Sequence, residues 1–212
     1  MTFSLTQYAE EKFKTHSIRR SYKRGEFLYR EGETPGGIFL IVKGLVGLVS
    51  LGDRGNEHLL RLFKCAQYLG HRSLFAEEPY HASAVALEPC EVDFIPKAHV
   101  MRVLREDIDL AILFIQNLSR ALGHVERRKV SFAEKDVVGR VAEAIVYLRE
   151  LHPEHNWTRK EIADFCSSTT PTVIRVLSRF EKEGLLRFSK RRIEIVQKDL
   201  LLNYSIDSDR DA

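Results

Sequence analysis

The chain has 212 residues, 44% of them hydrophobic and 30% charged, with a formal net charge of +3. That length suits one large domain or two modest ones at roughly 100–200 residues each. No run of about 18 apolar residues occurs, which argues against a membrane-spanning helix and against a membrane partner.

The first eleven residues carry acid at Glu10 and Glu11 and lack an apolar stretch, so they do not read as a signal peptide and a cytoplasmic location is expected. Cys65, Cys90 and Cys166 are scattered and form no CxxC pair. That fits free thiols in a reducing compartment and leaves an iron–sulfur cluster short of its four ligands. No metal or cofactor is expected.

Up to about Pro96 the chain is strand-like. Apolar runs at 37–42 and 45–49 are separated by Lys43-Gly44, and Gly52-Asp53-Arg54-Gly55 marks the next turn. Further runs at 57–63, 83–87 and 91–95 give many strands at close spacing, as in a sandwich, jelly roll or barrel.

After Pro96 the period changes. Leu104, Ala111, Leu118, Val125 and Phe132 recur every seven residues, and Met101, Ile108, Ile115 and Leu122 form a second such series three residues ahead. Together they predict one long helix over 99–134 with an a/d seam for a second copy of the chain. Leu110, Leu113 and Phe114 widen the apolar surface, so that one side can pack on the β domain.

Asp136 is a candidate N-cap for a helix carrying Val137, Val141, Ile145 and Leu148, ending before Pro153. Thr158 with Glu161 three residues on reads as a capping box. After a turn at Ser167-Ser168, Thr169 or Thr170 can cap another helix with Pro171 in its first turn, running to Glu183 with Gly184 as the stop. Two short strands at 185–188 and 192–196 flank the basic turn Ser189-Lys190-Arg191. From Thr158 to Lys198 there are ten Lys or Arg against five Asp or Glu, before acids return at Asp207, Asp209 and Asp211. Such a basic segment is compatible with nucleic acid.

The spacing from Thr158 to Leu186 is that of a helix-turn-helix. Ile162 and Ala163 face inward from its first helix, and Val173, Val176, Leu177 and Phe180 form the buried stripe of the second. The other face offers Thr170, Thr172, Ile174, Arg175, Ser178 and Arg179 to a major groove, with Thr158 and Thr169 at the helix starts. Arg175 is the candidate for a bidentate pair to guanine, worth roughly 1–3 kcal/mol of discrimination. Arg179, Lys190, Arg191 and Arg192 are candidates for phosphate contacts.

On these residues the chain resembles the CRP/FNR family of bacterial transcription regulators over nearly its whole length. The matching segments include Arg24-Gly25-Glu26 with Glu31-Gly32-Glu33, residues 38–44, Ala86-Leu87-Glu88 with Ile95-Pro96, residues 140–148 and the helix-turn-helix itself. The resemblance implies an α+β chain in three parts: a β-roll (jelly-roll) sensor domain at 1–98, a dimerisation helix and hinge at 99–134, and a winged helix-turn-helix domain at 135–212. It implies a homodimer on double-stranded DNA, with RNA polymerase as a further partner. The implied dimer residues are Ile108, Ala111, Ile115, Leu118, Leu122, Val125 and Phe132.

Two departures stand out. Cyclic-nucleotide members of the family carry a Glu for the ribose hydroxyl and an Arg for the cyclic phosphate. Here the cassette reads Gly70-His-Arg-Ser-Leu-Phe75 and Tyr80-His-Ala-Ser-Ala84, with His71 and Tyr80 at those two places. A buried phosphate without its Arg is poorly compensated, so cyclic AMP is not the expected effector. If an unknown small molecule enters, His71, Arg72, Ser73, Tyr80 and His81 are the candidates to meet it; otherwise side chains fill the pocket and protein abundance sets activity. In the recognition helix, Pro171 stands where family members usually carry a Glu that accepts from cytosine.

Rival readings are a metal-dependent β-roll enzyme and a scaffold protein. His58, His71 and His81 lack the His-x-His and Glu pattern that the enzyme needs, and a scaffold leaves the basic wing unexplained. Cys166 beside the recognition helix reads either as a redox sensor or as a small buried hydrophobe.

Overall fold

A computed structural model describes residues 5–52, 55–189 and 192–207. Asp53 and Arg54 of the expected turn, Lys190 and Arg191 of the basic turn, and Asp209 and Asp211 lie outside the described residues. The chain divides into two compact units, Met1–His124 and Val125–Ala212.

The first unit opens with helix α1 (Leu5–Phe13) and a 3-10 turn (Lys14–His16), followed by β1 (Ile18–Tyr22), β2 (Phe27–Tyr29), β3 (Gly37–Lys43), β4 (Val46–Leu51), β5 (Glu57–Phe63) and β6 (Tyr68–Leu69). Then come α2 (His71–Ala76), β7 (Ser83–Ala86), β8 (Cys90–Pro96), α3 (Lys97–Glu106) and α4 (Ile108–Glu134). The strands form two sheets, ordered β1-β8-β3-β6 and β2-β7-β4-β5, with antiparallel neighbours throughout. This is the expected β-roll.

Strand period explains how the first sheet serves two cores. Side chains alternate faces along a strand, so β3 sends Phe39 and Ile41 between the sheets, where they meet Tyr29, Val46, Leu48 and Val92. Its Ile38 and Leu40 point the other way, into a second cluster with Phe13, Tyr68, Leu74, Ile95, Val100, Leu110 and Phe114. Helices α1, α3 and α4 thus cover the outer face of that sheet. Two motif turns share one build: Gly25 and Gly32 adopt φ of 86° and 83°, and the Glu after each accepts a backbone N–H from three residues earlier, Lys23 to Glu26 and Arg30 to Glu33.

The helix expected to run unbroken over 99–134 is two helices. Asp107, at φ −130° and ψ 91°, ends α3 and starts α4. Its carboxylate accepts the Leu110 N–H at 3.0 Å and the Tyr8 O–H at 3.1 Å, and pairs with Lys12 at 2.9 Å. Lys12 first, and then the Leu110 N–H, hold that carboxyl below the ordinary range. The seven-residue series continues across the break because Leu104 is apolar for a different reason: it packs on the β-roll cluster. α4 itself buries Leu110 and Phe114 there, as expected for its inner side, while Ile108, Ile115, Leu122 and Val125 are 60–69% exposed.

The second unit continues with α5 (Val137–Leu151), α6 (Arg159–Cys166), α7 (Thr170–Lys182), β9 (Leu186–Ser189), β10 (Arg192–Ile195) and α8 (Lys198–Asp207). Asp136 caps α5 by accepting the Gly139 N–H at 2.8 Å, as its position predicts. Val141, Ile145, Leu148, Ile162, Val173, Leu177, Phe180, Leu186, Ile193 and Leu201 are buried in this unit. Neither α1 nor α8 is legible in the apolar periodicity. Both are short, and among the described side chains of α8 Leu201 is the wholly buried one.

Phe114 touches four other aromatic rings, those of Phe13, Tyr68, His71 and Phe75, at 5.5–6.3 Å. Phe114→Ala is expected to cost the first unit about 3–5 kcal/mol, read as a lowered urea midpoint by far-UV circular dichroism. A loss below about 1 kcal/mol would mean that this ring does not anchor α4.

Candidate nucleic-acid interface

Helices α6 and α7 are joined by a tight turn at Ser167, whose φ is 51°. The capping box at the start of α6 is complete: Thr158 Oγ1 accepts the Glu161 N–H at 3.1 Å, and Glu161 Oε2 accepts the Thr158 N–H at 2.8 Å. Glu161 is buried against His155, whose Nε2 lies 3.2 Å from the carboxylate. Burial alone would raise the pKa of Glu161, but the His155 and Thr158 hydrogen bonds outweigh it and hold the carboxyl below its ordinary value. Trp157 stacks edge-on against His155 at 4.3 Å.

Thr169 caps α7 by accepting the Thr172 N–H at 3.3 Å, and Pro171 occupies the first turn, where a missing N–H costs little. The helix ends at Lys182, one residue earlier than expected, and Gly184 follows at φ +73°. Val173, Val176, Leu177 and Phe180 are buried on one side. On the other, Thr169, Pro171, Ile174, Arg175, Ser178 and Arg179 are exposed, with Thr170 and Thr172 half-buried.

Arg175 Nη2 donates weakly to Thr172 Oγ1 at 3.3 Å, which orients it along the helix toward its N-terminal end. Arg179 is more committed than its sequence position suggests. Its Nε donates to Glu183 at 3.0 Å, its guanidinium lies 5.0 Å from the Tyr204 ring, and the Tyr204 hydroxyl donates to the same carboxylate. The expected wing is the antiparallel pair β9–β10. Arg187 pairs with Glu194 across it, Arg192 pairs with Glu154, and the Arg159 guanidinium rests over Phe188 at 4.6 Å. Thr158 is exposed, with its hydroxyl used in the cap.

Two arginines that the sequence pattern does not single out hold the end of α6. Arg128 donates to the Phe165 carbonyl at 2.6 Å with its guanidinium 3.8 Å from that ring, and Arg140 donates to the Cys166 carbonyl at 3.3 Å. Cations at a helix C-terminus meet its unpaired carbonyls and its negative dipole end. Their partners lie 37 and 26 residues away, beyond any local pattern. Cys166 is buried beside them and its thiol is pushed up to about 12 by burial, which leaves little of the reactive thiolate.

Residues 19–107 match the family of cyclic nucleotide-binding domains, and residues 139–204 match the Crp-like helix-turn-helix domain. The chain belongs to the CRP/FNR family. As a CRP/FNR regulator it is a DNA-binding protein of a non-catalytic class. It is 24% identical over 192 residues to the cAMP-activated global transcriptional regulator CRP of Haemophilus influenzae, covering 86% of each chain. Its fold matches the c-di-GMP responsive regulator CLP of Xanthomonas campestris with a TM-score of 0.76 at 21% identity, over 89% of this chain and 98% of that one. It matches FixK2 from Bradyrhizobium japonicum at 0.78 and 21%, over 88% and 96%. Among the described residues no helix is long and apolar enough to cross a membrane.

In this CRP/FNR chain the five cassette residues do not converge. Arg72 and His81 meet at 3.2 Å on the surface, where Arg72 also pairs with Glu78. Tyr80 turns inward between the sheets and stacks on Tyr29 with ring centroids 3.6 Å apart. Ser73 is buried on α2. His71 is buried with its ring 5.7 Å from Phe114, and neither ring nitrogen has a hydrogen-bond partner among the described residues. His58 is half-buried on β5, apart from the cassette in sequence and strand.

Burial, aided by the Arg61 charge, lowers the pKa of His71 from 6.5 to about 4. A histidine whose pKa falls on folding takes its proton more readily in the unfolded chain. Its contribution is therefore complete above pH 6.5 and is lost by up to about 1.4 kcal/mol per pH unit as the pH drops from 6.5 towards 4. His71→Leu should flatten that dependence, measured as urea midpoints at pH 7 and pH 5. An unchanged slope would show that His71 is not held neutral.

Proposed function

We propose that this protein is a homodimeric, sequence-specific transcription regulator that reads a near-palindromic duplex site and whose control does not use cyclic AMP. The observation that carries the reading is the division of α7. One stripe is consumed by the core, and the opposite face presents Arg175 among small and hydroxyl side chains that a major groove can accept. Arg192, at the first position of β10, is an expected phosphate contact, as are Lys190 and Arg191 on the sequence reading.

The exposed stripe of α4 supports the dimer. Ile108, Ile115, Leu122 and Val125 recur at heptad spacing, and a contiguous apolar patch of this kind marks an interaction surface. Ala111 and Leu118 are half-buried beside it. Phe132 is already engaged by the guanidinium groups of Arg128 and Arg140 at 5.2 and 5.5 Å, so it contributes less to the seam than its place in the series suggests. A homodimeric reader of a palindrome meets successive major grooves about 34 Å apart. RNA polymerase is the expected further partner.

The Haemophilus influenzae relative is cAMP-activated, and CLP of Xanthomonas campestris is c-di-GMP responsive. The cassette here supports a different control. Tyr80 offers a ring to Tyr29 where a phosphate needs a cation, and the cassette arginine, Arg72, is on the surface with Glu78 and His81.

Selection from random duplex DNA with the purified protein and no added ligand tests the whole reading. The expected result is one enriched palindrome, bound with an affinity that falls steeply with salt. Its half-site should depart from the usual family sequence at the step faced by Pro171, which cannot accept from cytosine. Enrichment that required cyclic AMP would overturn the effector assignment, and no enrichment by a folded dimer would overturn the active ligand-free state. Arg175→Ala should weaken the selected site by about 1–3 kcal/mol while leaving non-specific binding nearly unchanged. Ile115→Glu or Leu122→Glu should sediment as a monomer at concentrations where the parent chain is a dimer.

A further inference from the structure

A cleft in the first unit lies outside the cassette. It measures about 220 Å³ and is lined by Glu10, Phe13, Lys14, Arg19, Tyr68 and Asp93, with Ser17, Leu40 and Ile95 completing it. A single water needs only about 10–15 Å³ of such space, so the cleft has room for a small organic molecule. Its walls come from α1, the 3-10 turn, β1, β3, β6 and β8.

The polar groups are unevenly satisfied. Arg19 and Asp93 hold each other through two hydrogen bonds, and Arg19 also reaches Glu91. They form a fixed rim. Glu10 and Lys14 are exposed and stand at the same mouth. Tyr68 is only 4% exposed, yet its hydroxyl has no hydrogen-bond partner among the described residues. A buried hydroxyl left in that state is destabilising, and the Glu10 and Asp93 charges act on this phenol. Ser17 donates its hydroxyl to the Lys14 carbonyl, and the remaining lining, Phe13, Leu40 and Ile95, is apolar.

We propose that this cleft binds a small zwitterion with an apolar side chain, of the kind represented by an aliphatic or aromatic amino acid. An ammonium group donates to the Tyr68 hydroxyl oxygen and pairs with Glu10. A carboxylate pairs with Lys14. The side chain lies on Phe13, Leu40 and Ile95. Both signs of charge at one mouth, an apolar floor and a buried unpaired hydroxyl are satisfied together by this class and by neither a simple anion nor a simple cation.

The cleft also touches the helix that carries the dimer stripe. Phe13 and Tyr68 line it, and both rings pack on Phe114 of α4 at 6.3 and 5.7 Å. Ligand contact with those rings is one packing step from α4. The regulatory use of the site rests on the reading of the chain as a DNA-binding regulator. The binding itself does not, because it is measured without DNA, so either can fail alone.

The test is calorimetric titration of the full chain with each of the twenty standard amino acids, with phenethylamine and 3-phenylpropionate as single-charge controls. At least one apolar amino acid is expected to bind saturably with Kd below about 1 mM, and both controls at least about tenfold more weakly. Tyr68→Phe removes one unpaired hydroxyl and should fold at least as stably as the parent, while weakening the ligand about tenfold or more. Glu10→Gln, an exposed substitution, should weaken it similarly. Absence of any such binding, equal binding of a control, or binding untouched by both variants would overturn the proposal.

Discussion

Helix α4 is held to the β-roll by Leu110 and Phe114, and much of the protein's organisation follows from that attachment. Both side chains are almost wholly buried against the outer face of the β1-β8-β3-β6 sheet. A helix that commits one stripe to its own domain has its remaining apolar stripe fixed in direction by the same 3.6-residue period. Ile108, Ile115, Leu122 and Val125 therefore cannot turn inward, and their exposure is a consequence of the anchor. Further along the chain, within the second unit, Arg128 donates to the Phe165 carbonyl of α6.

How much of this is legible in the sequence depends on the reach of each interaction. The capping box at Thr158 and Glu161, the caps at Asp136 and Thr169, and the buried stripe of α7 are set by neighbours within four residues, and all are readable from spacing. The break at Asp107 is not. Its cause is Tyr8 and Lys12, about a hundred positions upstream, whose hydrogen bond and ion pair reward a non-helical backbone. The seven-residue repeat runs straight through it, because Leu104 and Ala111 satisfy the period while serving different contacts. Helix α1 escapes the pattern for a related reason: Ala9 and Phe13 are two buried residues on a short element whose stability comes from the sheet beneath it.

The DNA-facing side shows the same limit from the opposite direction. Sequence alone puts Arg175 and Arg179 on one helix face and assigns them to a base edge and to phosphate, but it does not show how differently the two are engaged. Arg179 is locked between Glu183 and Tyr204, and Tyr204 sits on α8, which the apolar pattern does not reveal. A guanidinium already paired and stacked gives up those contacts to take a phosphate, whereas Arg175 gives up one long hydrogen bond to a threonine. The two arginines are therefore unequal, with Arg175 the less costly to redirect toward a base edge.

The cassette substitutions make sense as a pair once burial is considered. A guanidinium at the Tyr80 position, between the two sheets, would be a buried cation dependent on a bound anion. A tyrosine there needs none, since Tyr29 supplies a stacking partner and the sheets supply an apolar setting. The same logic applies at α2, where a carboxylate packed against Phe75 and Phe114 would be more expensive than the neutral imidazole of His71. As placed, neither the Tyr80 ring nor the His71 imidazole needs a charged ligand beside it. Tyr68, which packs on the same Phe114 ring as His71, differs in that its hydroxyl has no partner among the described residues and it lines a cleft with charges of both signs. Ligand control is better supported at that cleft than at the cassette, and the aromatic contacts of Phe13 and Tyr68 with Phe114 place α4 next to it.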